Sequence, residues 1–198
     1  MSRFVELYEL GTSRSACAPA QLQSLVEIVK AAEKVPGDII EIGSYKCGST
    51  IVLAAASELC SPNKTVFGFD IFKEMPAGSK FDQDLSHSFG DLDFEEIKSV
   101  TEQISNLAVV RGLHEETIPV FPPRPISILF LDSDLYESHR IALEHFWPML
   151  SENGLLILHD FVSLNCPGVR KAFDEYFKNS LESVIKHSYQ SGMLVVQK

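Results

Sequence analysis

The spacing of apolar residues along the chain predicts helices and strands that alternate. Apolar residues between 22 and 29 recur with the period of one helix face, in a segment that begins at Pro19 and ends before Pro36-Gly37. Short apolar runs predict five strands, at 38–43, 65–70, 107–110, 126–132 and 154–159. Helical spacing returns between and after them, at 49–59, 94–104, 136–150 and 169–177, with a helical turn at 115–120. Two last strands, 183–189 and 193–197, are joined by Gln190-Ser191-Gly192 and predict a hairpin.

This order of elements predicts the fold class. A strand that alternates with a helix five times is typical of an α/β protein with a mainly parallel sheet and helices on both faces. The C-terminal hairpin is antiparallel, so we expect seven strands in one domain that spans residues 1–198. Residues 1–36 would form an N-terminal cap helix region. Residues 71–92 have no clear period but contain several aromatic side chains, so we interpret them as a lid loop.

Polar residues near the helix ends predict where helices begin and end. Ser49 or Thr50 is a candidate cap for the helix after the first strand, and Asp134 for the helix after the fourth strand. Asn153-Gly154 is expected to stop that second helix.

The charge balance narrows the class of partner. The chain has 198 residues with 17 Lys+Arg and 27 Asp+Glu, a net charge of -10. Such a charge repels phosphate backbones and anionic lipids, so we expect neither nucleic acid nor a membrane as partner and favour a small uncharged or cationic ligand. The apolar runs are short and the N-terminus has no signal-like layout, so we expect a soluble, cytoplasmic protein. The cysteines stand far apart and indicate neither a zinc site nor a disulfide framework.

Polar residues follow each of the five predicted parallel strands. Because ligands of open parallel sheets bind at the carboxyl ends of the strands, these residues are candidates for one shared site. They are Glu41-Ile42-Gly43-Ser44, Asp70, residues 111–114, Asp132-Ser133-Asp134 and His159-Asp160.

The turn from Gly43 to Thr50 would bring backbone amides to a ligand at a helix N-terminus. A phosphate loop needs lysine directly after the second glycine, and here Ser49 follows Gly48, which disfavours an ATP or GTP hydrolase. The dinucleotide fingerprint Gly-x-Gly-x-x-Gly is missing as well, because Tyr45 stands at its second glycine. These exclusions leave a nucleoside ligand without phosphates.

S-adenosylmethionine fits such a site, because it has a ribose diol and a cationic sulfonium and lacks phosphate. Asp70 ends the second strand, where a carboxylate can accept both ribose hydroxyl protons. The alternative for Glu41 and Asp70 is that they cap loops.

Five blocks of sequence carry a specific resemblance. They are Glu41-Ile-Gly-Ser-Tyr-Lys-Cys-Gly-Ser-Thr50, Gly112-Leu-His-Glu-Glu-Thr-Ile-Pro119, Leu131-Asp-Ser-Asp-Leu-Tyr-Glu-Ser138, Leu150-Ser-Glu-Asn-Gly154 and His159-Asp160-Phe161. In these blocks the chain resembles the class I S-adenosylmethionine-dependent methyltransferases of the macrocin O-methyltransferase family (methyltransferase family 24), and more distantly catechol O-methyltransferase. The resemblance implies a Rossmann-like fold, a small-molecule hydroxyl as methyl acceptor, on a sugar or another secondary metabolite, and a homodimer as one possible assembly.

The resemblance also implies which residues bind the cofactor. Those expected at the methionine part stand in the turn after the first strand, the carboxylate after the second strand would hold ribose, and the pair after the third strand would flank adenine. The full set is Glu41, Gly43, Ser44, Tyr45, Gly48, Ser49, Asp70, Leu113, His114 and Asp132.

In this family an Asp after strand four and two acids after strand five bind a divalent metal, usually magnesium. The matching positions are Asp132, His159 and Asp160. The chain departs from the family at His159, where Asp is usual, and at Cys47, where Gly is usual. An imidazole in place of a carboxylate moves the site from magnesium toward manganese, iron or zinc, or toward no metal at all.

Two catalytic routes stay open. With a metal, Asp132 is a sufficient base for the acceptor hydroxyl; without one, His159 is the best base. His159 could instead be a structural histidine at a strand end.

The leading hypothesis is a small-molecule O-methyltransferase. A nicotinamide-dependent oxidoreductase shares the sheet and the ribose-binding acid but lacks its glycine fingerprint, and a non-catalytic domain that binds S-adenosylmethionine is the third possibility. Fewer than forty residues precede the first strand, so we expect a small or open acceptor site.

Overall fold

Within residues 2–86, 88–178 and 186–198, which this computed structural model describes, seven strands form one sheet. The strands are β1 (Asp38–Ile42), β2 (Val66–Asp70), β3 (Leu107–Arg111), β4 (Ile126–Leu131), β5 (Leu150–Leu158), β6 (Lys186–Gln190) and β7 (Met193–Gln197). Their order in the sheet is β3-β2-β1-β4-β5-β7-β6. β1 to β5 are parallel to their neighbours, and β7 runs antiparallel to both β5 and β6. The predicted sheet, mainly parallel with a C-terminal hairpin, is confirmed.

Seven α-helices in the same described ranges pack around the sheet. They are α1 (Arg3–Arg14), α2 (Pro19–Ala31), α3 (Gly48–Cys60), α4 (Phe94–Thr101), α5 (His114–Thr117), α6 (Tyr136–Phe146) and α7 (Pro167–Phe177). None of the described helices has the length and apolar character that crossing a membrane requires.

Helices cover both faces of the sheet, because the side chains of its central strands alternate between two apolar layers. Ile39 and Ile128 belong to the layer that contains residues of α2 and α3, whereas Ile40 and Leu129 belong to the layer that contains residues of α6 and α7. All six residues of β4 are buried, which explains why this strand reads as an unbroken apolar run.

The N-terminal region contains two helices where the apolar pattern indicated one. Both α1 and α2 pack against α3. A side chain at Gly11 would not fit, because its Cβ would lie 2.6 Å from the carbonyl oxygen of Gly48. The close approach of α1 to the start of α3 brings the N-terminal region next to the turn after β1.

The predicted end of the helix after β4 was wrong. α6 ends at Phe146, and a 3₁₀ turn, Trp147–Met149, follows it. Pro148 in that turn has no N–H to continue the helix. Asn153-Gly154, expected to stop the helix, lies inside β5, with Asn153 at a φ of 63°.

The turn of the hairpin matches its expected chemistry. Ser191 and Gly192 have φ values of 50° and 87°, as a two-residue turn between antiparallel strands requires. Residues 183–185 of the predicted hairpin strand lie outside the described residues.

Candidate active site

The carboxyl ends of β1 to β5 surround one cavity of about 240 Å³. Each of the five strand ends contributes predicted site residues to its lining, which includes Gly43, Ser44, Tyr45, Ser49, Asp70, Leu113, His114, Asp132, His159 and Asp160. Two other residues expected at the cofactor, Glu41 and Gly48, are buried and do not belong to this lining.

The turn between β1 and α3 depends on unusual backbone conformations. Gly43 has a φ of 92°, and a Cβ there would clash with the backbone that follows β4. Tyr45 and Cys47 adopt left-handed conformations, with φ values of 50° and 59°. Cys47 precedes α3 as its N-cap residue and makes no side-chain capping bond, so the prediction that Ser49 or Thr50 caps this helix was wrong.

Glu41 is buried at the base of this turn. Thr50 Oγ1 donates a hydrogen bond to Glu41 Oε2, and Ser44 Oγ lies 3.4 Å from the same oxygen. Glu41 Oε1 has no hydrogen-bond partner in the described part of the chain. Burial raises the pKa of Glu41 to about 8, although hydrogen bonds from nearby hydroxyls oppose this shift. The Thr50 hydroxyl makes this hydrogen bond to Glu41 and no capping bond. The bond links β1 to the first turn of α3.

Asp70 connects the turn after β1 to the loop after β2. Its Oδ2 accepts a hydrogen bond of 2.8 Å from the backbone N–H of Tyr45, and its Oδ1 accepts one of 2.7 Å from the N–H of Phe72. Burial raises the pKa of Asp70, and these two backbone donors oppose the shift. The carboxylate is therefore oriented before any ligand arrives.

Leu113 and His114 line the cavity where β3 passes into α5. His114 Nδ1 lies 2.9 Å from the hydroxyl of Ser138, and its Nε2 has no partner among the described residues. Burial lowers the pKa of His114, against the opposing charge of Asp70. An uncharged imidazole beside Leu113 provides a flat, largely apolar wall.

Asp132, His159 and Asp160 form a hydrogen-bonded cluster at the ends of β4 and β5. Nδ1 of His159 lies 2.9 Å from Oδ1 of Asp132 and also hydrogen bonds to Oδ2 of Asp160. Burial alone would lower the pKa of His159, but the two carboxylates raise it to about 10. Burial raises the pKa of Asp132. Burial would also raise the pKa of Asp160, but the hydrogen bond and charge of His159 outweigh it, so the pKa of Asp160 is lowered. The two carboxylates therefore favour the protonated form of His159, which lies between them.

Asp134 does not cap α6, so that prediction was wrong. The N–H of Tyr136, in the first turn of α6, donates a 2.8 Å hydrogen bond to Oδ1 of Asp82, which comes from the loop after β2. Oδ2 of Asp82 accepts bonds of 2.8 Å from both the N–H and the hydroxyl of Ser79. A distant loop supplies the cap, and local spacing does not show such a contact.

Asp134 instead faces the cavity, with a left-handed φ of 61°. Cys166 Sγ donates a hydrogen bond of 3.4 Å to its Oδ1. Burial, together with the charges of Asp132 and Asp160, raises the pKa of Asp134 to about 7.

Residues that sequence reasoning missed come from the link between α1 and α2. Ser15, Ala16 and Cys17 line the cavity. The thiol of Cys17 donates a 3.4 Å hydrogen bond to Oδ2 of Asp132, and burial raises the pKa of this thiol. These partners are 115 residues apart in sequence, and the cysteines were judged only for zinc and disulfide spacing, so nothing pointed to the contact.

The loop that joins β2 to α4 has neither helix nor strand in its described part. Met75 and Phe89 from this loop line the cavity. Oδ1 of Asp91 accepts a 2.6 Å hydrogen bond from the hydroxyl of Tyr45, and Oδ2 accepts one of 2.6 Å from the ammonium of Lys46. The far end of the loop is thus fastened to the turn after β1.

The expected metal ligands lie together, but their donor atoms already bond to one another. Nδ1 of His159 is engaged by both Asp132 and Asp160. Among the described residues, the sets of three donor atoms within 4.8 Å of one another are Cys17 with Asp132 and His159, and Asp134 with Asp160 and Cys166. Each set includes a thiol, and magnesium prefers oxygen ligands. The residues present therefore do not fit a magnesium ion.

Comparison with known proteins identifies the family to which this chain belongs. The family model for macrocin O-methyltransferases (TylF) matches residues 16–187. The 8-demethyl-8-(2,3-dimethoxy-alpha-L-rhamnosyl)-tetracenomycin-C 4'-O-methyltransferase of Streptomyces olivaceus is 30% identical over 78% of this chain and 63% of its own length. The demethyldecarbamoylnovobiocin O-methyltransferase of Streptomyces niveus is 26% identical over 72% of this chain and 58% of its own length. The chain thus spans about three fifths of the length of these curated relatives.

Solved structures show the same fold. The O-methyltransferase NovP superposes with a TM-score of 0.80 at 23% identity, over 93% of this chain and 82% of its own. The calicheamicin methyltransferase CalS11 superposes with a TM-score of 0.79 at 18% identity, over 98% of this chain and 91% of its own. The Rossmann-like methyltransferase fold and the sequence resemblance agree, and the chain belongs to the macrocin O-methyltransferase (TylF) family.

Proposed function

We propose that this chain is an S-adenosylmethionine-dependent O-methyltransferase that acts on a small-molecule hydroxyl. The observation that carries the proposal is the charge of the cavity lining. Five acidic residues, Asp70, Glu115, Asp132, Asp134 and Asp160, outnumber the two basic groups of the lining, Lys73 and the imidazole of His159. An acidic lining attracts a cationic sulfonium and repels the phosphates of a nicotinamide dinucleotide.

The cofactor would lie across the strand ends. S-adenosylmethionine supplies an electrophilic methyl group on its sulfonium. In this chain the backbone turn from Gly43 to Tyr45 would hold the methionine part, Asp70 the ribose hydroxyls, and Leu113 with His114 the adenine. We also propose that residues 71–92 act as a lid, since both Asp82 and Asp91 fasten this loop to elements that carry the site.

Transfer of the methyl group forms a bond from the acceptor oxygen to carbon and breaks the bond from carbon to sulfur. The hydroxyl proton must leave as the new bond forms, and a nearby carboxylate can accept it. We assign this role to Asp132, because the two carboxylates in contact with Nδ1 of His159 favour the protonated imidazole, which is not a base. His159 then acts as a positioning residue that keeps Asp132 ionised and oriented, which differs from the expectation that it is the base of a metal-free route. Positioning of the two reactants supplies part of the rate acceleration.

We propose a sugar or another secondary metabolite as the acceptor class. The names of the curated relatives describe O-methylation of tetracenomycin, novobiocin and mycinamicin compounds. The net charge of -10 disfavours nucleic acid as the acceptor.

Calorimetric titration tests the cofactor assignment without knowledge of the acceptor. Titrations with S-adenosylmethionine and S-adenosylhomocysteine should each give one binding site per chain, and a titration with NAD should give no binding heat. Binding of NAD with no response to either sulfur nucleoside would overturn the proposal and favour the oxidoreductase alternative.

A further inference from the structure

We infer that His159 takes the position of a divalent cation between Asp132 and Asp160, so that this chain holds no metal there. The inference rests on the proposed function, which it extends to the way the acceptor end of the site is built. It separates this chain from the metal-binding pattern that the resemblance implies.

The first step is the convergence of two carboxylates on one nitrogen. Nδ1 of His159 lies 2.9 Å from Oδ1 of Asp132 and hydrogen bonds to Oδ2 of Asp160. The three side chains are only 17%, 16% and 25% exposed, respectively. Both carboxylates therefore contact the same nitrogen, and the imidazole fills the point between them where a shared cation would lie.

The second step is that the other oxygens near this point are also occupied. Oδ2 of Asp132 accepts a hydrogen bond from the Cys17 thiol. Asp134, which lines the cavity with Asp160, accepts one from Cys166. A hard cation needs several free oxygen atoms at about 2.0–2.6 Å, and these oxygens of Asp132, Asp134 and Asp160 already contact N–H or S–H groups.

The third step is steric and electrostatic. A cation bound by Asp132 and Asp160 together would have to replace the hydrogen bonds of Nδ1 to both carboxylates. In the observed arrangement of the three side chains, Nδ1 of His159 and a cation cannot both lie between the two carboxylates. Occupation by His159 and occupation by a metal therefore exclude each other.

Metal analysis and calorimetry on the intact wild-type chain test this inference. Protein purified without chelator should contain well under about 0.1 equivalent of metal, and titration with Mg²⁺, Mn²⁺ or Zn²⁺ alone should show no stoichiometric site. Affinity for S-adenosylhomocysteine should be the same, within about twofold, with and without EDTA. A stoichiometric Mg²⁺, Mn²⁺ or Zn²⁺ site that disappears in Asp132→Asn would overturn the inference.

A pair of variants tests the position of the histidine. His159→Asp removes the cation and adds a carboxylate, so saturating Mn²⁺ should raise its melting temperature by about 5 °C or more. His159→Asn introduces a side chain of nearly the same shape as aspartate but without its charge, and its melting temperature should show no such shift. A folded His159→Asp that responds to Mn²⁺ no more than His159→Asn does would contradict the inference. If His159→Asp does not fold, the wild-type titrations still decide between the two outcomes.

The design separates failure of this inference from failure of the proposed function. Wild-type chain that binds S-adenosylhomocysteine together with a stoichiometric metal would leave the function standing and reject the inference. Wild-type chain that binds neither sulfur nucleoside would reject the function, whatever the metal titrations show.

Discussion

Much of the electrostatic stabilisation of the site depends on one side chain, His159, which contacts both Asp132 and Asp160. Its ion pairs offset the cost of burying two carboxylates, and removal of one member of such a cluster leaves an uncompensated buried charge. The pKa of His159 is raised to about 10 in the folded chain, above the value of about 6.5 expected when unfolded. A raised folded-state pKa means that the stabilisation is complete below pH 6.5 and is lost as the pH rises through about 10.

This linkage gives a pH prediction. His159→Gln should lower the free energy of unfolding by about 3 kcal/mol at pH 6, and the difference from wild type should shrink steadily between about pH 6.5 and 10. Urea denaturation at several pH values measures it. Ser151→Ala, which changes no titratable group, should show no pH trend relative to wild type. A His159→Gln difference that stays constant from pH 6 to pH 10 would show that the ion pairs do not stabilise the fold.

Asp70 gives a second prediction, about affinity. Asp70→Asn keeps the size of the side chain but loses the charge and one acceptor oxygen, so affinity for S-adenosylhomocysteine should fall by about 10- to 100-fold. Asp174→Asn, which removes an exposed ion-pair partner of Arg170 on α7, is the matched control and should bind normally. Unchanged affinity in Asp70→Asn would remove the proposed ribose contact.

Between elements, the contact of Asp82 with α6 is one that local sequence patterns could not show. This carboxylate caps α6 and at the same time fixes the middle of the loop after β2. Gly168 in α7 allows the approach, because a side chain there would clash with Asp82.

Asp82→Ala should therefore act on the loop and on the helix together. We expect a loss of about 1 kcal/mol of stability, as for other helix caps, and faster hydrogen exchange in residues 76–86. Hydrogen exchange with mass spectrometry and urea denaturation measure the two effects. Glu102→Ala, which removes an exposed ion pair with Lys98 at the end of α4, should leave both the loop and α6 unaffected. Unchanged exchange in Asp82→Ala would mean that this contact does not hold the loop.

The sequence predicted strands better than helix ends, for a physical reason. Strands β1 to β4 and the second half of β5 are short apolar runs that the sheet buries, so the runs alone locate them. The first half of β5 is polar and partly exposed, and it was not predicted as strand. Helix ends depend on single contacts, such as that of Asp82 with Tyr136, whose partners come from other parts of the chain. Pro148, by contrast, was a local signal for the end of α6 that the longer apolar pattern concealed.

Taken across the fold, the grouping of the candidate site was predictable because parallel strands place their carboxyl ends at one edge. Asp70, Asp132 and His159 were brought together by that rule alone. The contribution of the α1–α2 link was not predictable, since Cys17 reaches Asp132 only through the packing of α1 and α2 on α3. Whether these residues fit a metal ion was not predictable from the sequence either, because it depends on which atoms Nδ1 of His159 contacts.

The overall charge gives a prediction about salt. S-adenosylmethionine carries one more positive charge than S-adenosylhomocysteine, so the acidic cavity and the net charge of -10 should favour the methyl donor. Raising the NaCl concentration from about 0.05 M to about 0.5 M should weaken binding of S-adenosylmethionine more than that of S-adenosylhomocysteine, because salt screens charges. Calorimetry at both concentrations measures the ratio. Equal weakening of the two ligands would show that the carboxylates do not act on the sulfonium.

A crystal structure of the chain with S-adenosylhomocysteine is the most direct measurement. We expect the ribose hydroxyls on the carboxylate of Asp70, the adenine against Leu113 and His114, and the sulfur directed toward Asp132. A nucleoside bound elsewhere on the molecule, or the same cavity closed to it at saturating ligand, would contradict the site described above.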